Sequence, residues 1–593
     1  MIREEYPRPQ HVRDEWLNLN GEWSFCFDDD DTGVKDKWYK TDNLFDQTIQ
    51  VPYVYQSRLS GINDQKNHEI VWYKRQVDVP ESFIGKEVLL HFGAVDYICD
   101  IYVNGQKVGS HKGGHTSFSF SISPFIDSEK LIVTLRVFDP RKEESIPRGK
   151  QTWEDKPHSI WYTNSTGIWQ TVWMEALSDR YVSAMRFTPD IDKGQVSCKS
   201  SFNKPVTGCE LDYSISFKGE QVLKSRFEVT GTSHNVVFDL HQRSIFRTSH
   251  HHNGWHWTPE DPNLFDIEVS LIDQGNTIDK VSSYFGMRKV HTENGQVYLN
   301  NKPYYQKLVL DQGYWPESLM TAPSDDALKH DILISKEMGF NGCRKHQKVE
   351  DPRFLYWADQ LGYLVWGESA SAHFFDESAV PLVTNEWIEI LERDYNHPSI
   401  VAWVPFNESW GINDVGRDSQ QQHYTLALYH LIHSLDETRP VISNDGWEMT
   451  VTDLSTVHHY GHGEMDEKEK YERFKLDLKT KEAILASNSA DRSIYANGFS
   501  HQGEPILLTE FGGIGYKKDD QDGWGYSSVD NDDEFVSEYS RVLNAVYESD
   551  ILAGYCYTQL YDVEQEINGL LTYNRDPKVS VEKIREINEN DYM

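Results

Sequence analysis

From about residue 289 onward, short apolar runs alternate with stretches of helical period. The runs are YYQKLVLD (304–311), FNGCRKH (340–346), YLVWGE (363–368), IVAWVPFNE (400–408), PVISND (440–445), TVHHY (456–460), PILLTE (505–510) and LAGYCYTQ (552–559). Apolar runs bounded by turn residues read as strands buried on both faces, the pattern of a parallel sheet. The stretches 324–339, 353–361, 384–394 and 420–434 read as helices. The first begins at Ser324, an N-cap candidate, followed by Asp325 and Asp326, which suit the positive end of a helix. Eight such units over 289–593 predict a (β/α)₈ TIM barrel.

Three of the runs end in glutamate, Glu368 in YLVWGE, Glu408 in VPFNE and Glu510 in LLTE, and the last two carry the catalytic expectation. Residues at the carboxyl ends of barrel strands face the active-site mouth. Two carboxylates there suit the cleavage of a glycosidic bond.

The upstream chain has a different pattern. Over 1–180, short strands such as EVLLHFGAV (87–95), YICDIYVN (97–104) and KLIVTLRVFD (130–139) are separated by Gly, Asn and Pro. The Asn104-Gly105 pair signals a tight hairpin. A β-sandwich of jelly-roll type fits. Over 181–288, runs such as VSCKSSF, CELDYSISF, FEVTG, NVVFDL and FDIEVSLID predict some seven short strands and an immunoglobulin-like sandwich.

The formal net charge is −36, from 58 basic and 94 acidic residues. Such a surface repels nucleic acid and anionic membranes at long range. The N-terminal residues have no apolar signal-like segment, and no stretch reaches the length of a membrane span. The six cysteines form no CxxC pair, which favours a reducing compartment, although Cys198 and Cys209 could pair across a hairpin. A cytoplasmic protein is expected. His250–His252 with His256 look like a metal cluster but lack Cys or carboxylate partners at fixed spacing, so solvated loop histidines are the expectation.

These motifs resemble those of glycoside hydrolase family 2, the β-galactosidases, β-glucuronidases and β-mannosidases. The resemblance runs through LNGEWSF (19–25), VPYVYQS (51–57), IVWYKR (70–75), TGIWQTVWME (166–175), WTPEDPNLFDIEV (257–269), NHPSIVAWVPFNESWG (396–411), RPVISNDGW (439–447) and LLTEFGG (507–513). It implies a retaining exo-β-glycosidase in which Glu408 is the acid/base and Glu510 the nucleophile. It implies that Asn407 bonds the sugar 2-hydroxyl, that Arg344 orients and ionises the nucleophile, and that His346 bonds a sugar hydroxyl. His459 and Tyr460 are similar to the family's aromatic pair, with the Tyr460 hydroxyl on Glu510. Glu368, Asp445 and Trp447 are candidate floor or subsite residues, as is Trp366 unless it packs in the core.

No cofactor and no metal are expected, because the two-carboxylate mechanism needs neither. The expected partner is a glycoside or oligosaccharide, with the oligomeric state, including a homo-oligomer, left open. A β-galactoside is the first expectation, and a β-uronide or an arabinoside comes next. A catalytically silent carbohydrate-binding protein is the rival from another class. The family's β-glucuronidases carry an Asn-x-Lys motif after the last strand, where this chain has Glu566 and Asn568. That argues against ordinary glucuronide recognition. The loop after the second strand is unusually basic, with Arg344, Lys345, Lys348 and Arg353. Two readings follow: Lys345 and Lys348 reach outward to an anionic sugar, or they pair with neighbours such as Glu350 and Asp351.

Overall fold

The structure is a computed structural model and describes residues 3–41, 44–126, 129–240, 254–487, 489–518 and 522–589. His250–His252 lie outside the described residues.

The N-terminal region is a two-sheet sandwich. One sheet has four strands, Trp16–Asn18, Val172–Leu177, Glu87–Phe92 and Phe118–Ser121, in that spatial order. The other has six, ordered Gln47–Val51, Gly21–Phe27, Ile70–Asp78, Lys130–Phe138, Ile98–Val103 and Gln106–Lys112. Alternate residues of these strands, among them Trp23, Phe25, Leu90, Ile101 and Leu135, fill the space between the sheets. The hairpin predicted at Asn104-Gly105 is present. Both residues have positive φ, 48° and 73°, as a type I′ turn requires.

The central sandwich differs from its expected seven short strands. Among the described residues five strands form it, and two are long: Gln195–Phe217 with 23 residues and Glu220–Asp239 with 20. VSCKSSF and CELDYSISF are therefore parts of one strand. Its first part pairs with Val182–Asp190 and its last part with Phe265–Asp273, across register shifts between Ser201 and Cys209. Such bulges bend a strand, so one strand serves both layers. All six cysteines are buried and free, so Cys198 and Cys209 form no disulfide.

The C-terminal region is the TIM barrel. Its strands are β1 (Gln306–Asp311), β2 (Gly342–Lys345), β3 (Leu364–Glu368), β4 (Ile400–Val404), β5 (Ser455–His458), β6 (Ile506–Glu510) and β7 (Leu552–Tyr557). They pair in parallel in the order β4-β3-β2-β1-β7-β6-β5. The expected fifth run, 440–445, is not a continuous strand. It joins β4 through two isolated parallel bridges, Trp403 with Val441 and Asn407 with Asp445. Pro440 takes part in the first bridge, its carbonyl accepting from the Trp403 N–H at 3.0 Å, and the ladder lapses opposite Pro405, which has no N–H to donate.

Leu308, Leu310, Leu364, Trp366, Val404 and Leu507 pack inside the barrel, and helix residues such as Leu328, Ile332 and Trp387 pack with Val309, Cys343 and Val365 outside it. Ser324 caps its helix as predicted, accepting a bond from the Ala327 N–H at 3.1 Å. Trp366 is core: it is fully buried and donates its indole N–H to Gln306 at 2.7 Å.

Loops of the N-terminal sandwich lie on the barrel mouth. The N–H groups of Arg148 and Gly149 donate to the Ser371 carbonyl at 3.0 and 2.9 Å, and the His373 N–H donates to the Glu144 carbonyl at 3.0 Å. Gly149 has a φ of 62°, and a Cβ there would lie 2.4 Å from the Gln347 carbonyl oxygen. Only glycine lets the sandwich approach this closely.

Candidate active site

Glu408 and Glu510 meet at the mouth of the barrel. One carboxylate oxygen from each, together with a His458 nitrogen, lie within 4.8 Å of one another. Glu510 ends β6, and its side chain is 7% exposed. Glu408 lies past the end of β4, and its side chain is 19% exposed. The backbone turns sharply there: Glu408 and Ser409 both have left-handed φ, 51° and 60°. Non-glycine residues hold that conformation only where their surroundings enforce it. The 440–445 segment does so. Asp445 N–H donates to the Phe406 carbonyl at 2.8 Å, Glu408 N–H to the Asp445 carbonyl at 2.9 Å, and Ser409 N–H to Asn444 Oδ1 at 3.0 Å.

Arg344 organises the floor. Side chains alternate along β2, so Arg344 points into the barrel while Cys343 and Lys345 point to the helices. Its Nη2 donates to Glu510 Oε1 at 2.5 Å, to Asn407 Oδ1 at 3.2 Å and to His346 Nδ1 at 2.8 Å. Its Nη1 pairs with Asp445, and its Nε faces Glu368 Oε2 at 3.3 Å. Burial raises the Glu510 carboxyl, but the charges of His458 and Arg344 outweigh it and bring it down to about 2. Burial takes Glu368 up to about 7, against the pull of Arg344. Burial and the adjacent Arg344 charge hold His346 well below the usual imidazole range.

The remaining candidates divide. Tyr460 OH donates to Glu510 Oε2 at 2.7 Å, contacts Thr558 Oγ1 at 2.9 Å, and its ring stacks on Tyr526 at 3.5 Å. Burial, then the Glu510 charge, push its hydroxyl well above the usual range. Trp447 packs edge-on to His458 at 5.5 Å, and its indole N–H has no hydrogen-bond partner among the described residues. The same holds for the Asn407 side-chain NH₂. His459 points elsewhere: its Nε2 lies 3.3 Å from Asp477 on the helix Lys468–Lys479. The histidine that faces Glu408 and Glu510 is His458, which sequence reasoning missed. His458 Nδ1 lies 2.8 Å from Glu408 and 3.5 Å from Glu510, and its Nε2 lies 3.0 Å from Asp445. Glu408, His458 and Glu510 are close enough to hold a metal ion, but both His458 nitrogens already face carboxylates.

The outward reading of the basic loop is overturned. Lys345 pairs with Asp311 at 2.8 Å and Glu350 at 2.9 Å, over the Phe354 ring. Lys348 donates to the Gly313 and Met320 carbonyls and pairs with Glu350 at 3.0 Å. Both are buried, and neither faces the mouth. Arg353 pairs with Asp325 at 2.7 Å, and Asp351 takes Arg3 at 3.1 Å.

A barrel with two strand-end carboxylates and a guanidinium against one of them is the arrangement of a glycoside-cleaving enzyme. The chain belongs to glycosyl hydrolases family 2. The family's sugar binding domain matches residues 17–174, its central region 181–288 and its TIM barrel domain 290–590. A β-galactosidase of Thermoanaerobacter pseudethanolicus is 26% identical over 435 residues, 72% of this chain and 55% of that one. A putative β-glucuronidase of Formosa agariphila is 26% identical over 441 residues, 71% of this chain and 50% of that one. The chain thus spans about half the length of these curated relatives. Among solved structures, a β-glucuronidase of Bifidobacterium dentium complexed with coumarin-3-O-glucuronide has a TM-score of 0.79 at 18% identity, covering 99% of both chains. A β-glucuronidase from an uncultured Clostridium sp. has a TM-score of 0.76 at 20% identity, covering 99% of this chain and 100% of that one. Identities this low speak to the fold alone. No helix among the described residues is long and apolar enough to cross a membrane.

Proposed function

We propose that the protein is a retaining exo-β-glycosidase, with Glu510 as nucleophile and Glu408 as acid/base. The observation that carries this reading is the approach of the two carboxylates, with oxygens within 4.8 Å of one another. Retaining enzymes hold their carboxyl groups roughly 5–5.5 Å apart, and inverting ones about 6.5–9.5 Å, to admit a water. Arg344 and Tyr460 both donate to Glu510, which suits an ionised nucleophile. Glu408 is the more exposed of the two, which suits protonation of a departing group. It protonates the glycosidic oxygen as Glu510 attacks the anomeric carbon, then deprotonates the water that releases the sugar. Asn407 is turned by Arg344 so that its free NH₂ is available to a sugar hydroxyl.

A terminal β-galactoside is the first substrate reading, in keeping with the relatives named β-galactosidase. The test is Glu510→Ala with azide as an external nucleophile. The variant should fold, lose turnover, and regain part of it with azide, giving an α-glycosyl azide. A β product would remove Glu510 from the nucleophile role. A panel of 4-nitrophenyl β-glycosides identifies the sugar.

A further inference from the structure

Lys150 is a cation that the catalytic reading does not use. It lies in the sandwich loop that rests on the barrel mouth and is 5% exposed. No carboxylate lies within ion-pair distance of its ammonium among the described residues, although buried lysines are rarely left so. The ammonium packs instead over the faces of Trp161 and Tyr162, 5.7 and 5.4 Å from the ring centres. Its loop is fixed on both sides. Gly149 abuts Gln347, next to His346, and Trp161 accepts a bond from Gln565 at 3.0 Å, next to Glu566. The Lys150 charge acts on both neighbours. It adds to burial and Arg344 in lowering His346, and it is the main influence opposing the rise that burial imposes on Glu566.

Glu566 faces this lysine from the loop after β7, and a glutamine fork holds it beside Asn568. Gln559 Nε2 donates to Glu566 Oε2 at 3.0 Å and to Asn568 Oδ1 at 2.6 Å, and Gln559 Oε1 accepts from Gln312 at 2.9 Å. One atom of each residue is therefore used. The others, Glu566 Oε1 and Asn568 Nδ2, are buried without a hydrogen bond. The Tyr162 hydroxyl neighbours Glu566 but does not reach hydrogen-bond geometry. A buried acceptor and an ammonium without an ion-pair partner thus meet from two domains, with the Asn568 amide beside the acceptor. Unsatisfied polar atoms at such depth are costly unless a ligand completes them.

The charges select the ligand. Arg344 already faces Asp445 and Glu510. With Lys150, two fixed cations balance those two carboxylates before Glu368, Glu408 or Glu566 is counted. A uronate would bring another anion into this site, beside Glu566. A neutral sugar instead offers a hydroxyl to donate to Glu566 and oxygens to accept from Lys150 and Asn568.

We propose that Lys150 and Glu566 form a two-domain clamp that reads neighbouring hydroxyls of a neutral terminal sugar and disfavours uronates. This rests on the glycosidase reading for its catalytic meaning, but the clamp is testable by binding alone. Calorimetric or NMR titration of wild type, Lys150→Met and Glu566→Gln would use three pairs: galactose and galacturonate, glucose and glucuronate, mannose and mannuronate. At least one neutral sugar should bind wild type about tenfold tighter than its uronate. Lys150→Met should weaken that neutral sugar about tenfold with an unchanged melting temperature. Glu566→Gln should narrow the neutral-to-uronate gap about tenfold. The clamp is overturned if no neutral sugar is preferred, if Lys150→Met weakens only the uronate, or if both variants bind the neutral sugar as wild type does. Turnover of the matching 4-nitrophenyl glycoside is measured alongside. Selective binding without turnover would sink the hydrolase reading and leave the clamp standing.

Discussion

Arg344→Met probes what keeps the nucleophile ionised. Methionine fills similar space but carries no charge. Glu510 is raised by burial and lowered further by His458 and Arg344, from 4.5 to about 2. A drop of that size corresponds to about 3 kcal/mol. The sign follows from a depressed carboxylate: the stability it contributes is present above pH 4.5 and is lost as pH falls toward 2. Without the guanidinium, burial is opposed by His458, His346 and the Tyr460 hydrogen bond only, and the Glu510 value rises. The variant should therefore lose the extra acid sensitivity that wild type has between pH 4.5 and 2. The acid limb of kcat/KM, set by the nucleophile, should move up by at least about one unit. The fold should be weakened by about 3–5 kcal/mol, because Asp445, Glu368 and Glu510 lose their buried partner. Arg344→Lys keeps a charge without the planar fork, so it should lower kcat while shifting the limb less. The assay is kcat/KM on an activated aryl glycoside across pH, with near-UV circular dichroism and melting temperature to confirm folding. A folded Arg344→Met enzyme with the wild-type acid limb would refute the reasoning.

Two further outcomes are expected. Glu408→Ala should slow substrates with poor leaving groups far more than activated aryl glycosides, since only the former need protonation; equal losses would take Glu408 out of the acid role. Lys345→Met should lower stability by about 3–5 kcal/mol by stranding Asp311 and Glu350. Its uronide-to-neutral ratio of kcat/KM should stay within about threefold of wild type, and a larger change would restore the loop as a reader of charge.

The meeting of Glu408 and Glu510 was legible because each glutamate closes an apolar run, and burial of the run fixes where its end must lie. The barrel was legible for the same reason, except at 440–445, where hydrophobicity resembles a strand but Pro405 on the neighbouring strand interrupts the ladder. His458 was missed by one residue. Strand side chains alternate, so a Tyr460 that faces the nucleophile implies an inward His458 and an outward His459. The same alternation, with Arg344 facing inward, turns Lys345 away from the mouth. In the central sandwich, turn-like residues at 203–208 marked a bend in one strand rather than a break between two. Lys150 and Glu566, 416 residues apart in the sequence, left no local signal. Their approach depends on how one domain rests on another.

The glycine contact at residue 149 has a further consequence. It lets a wall of the barrel mouth be supplied by a domain that holds neither Glu408 nor Glu510. Part of what shapes the entrance is therefore encoded far in the sequence from Glu408 and Glu510. Exchanging the sandwich loop for that of a relative would redraw the entrance and leave Glu408, His458, Arg344 and Glu510 as they are.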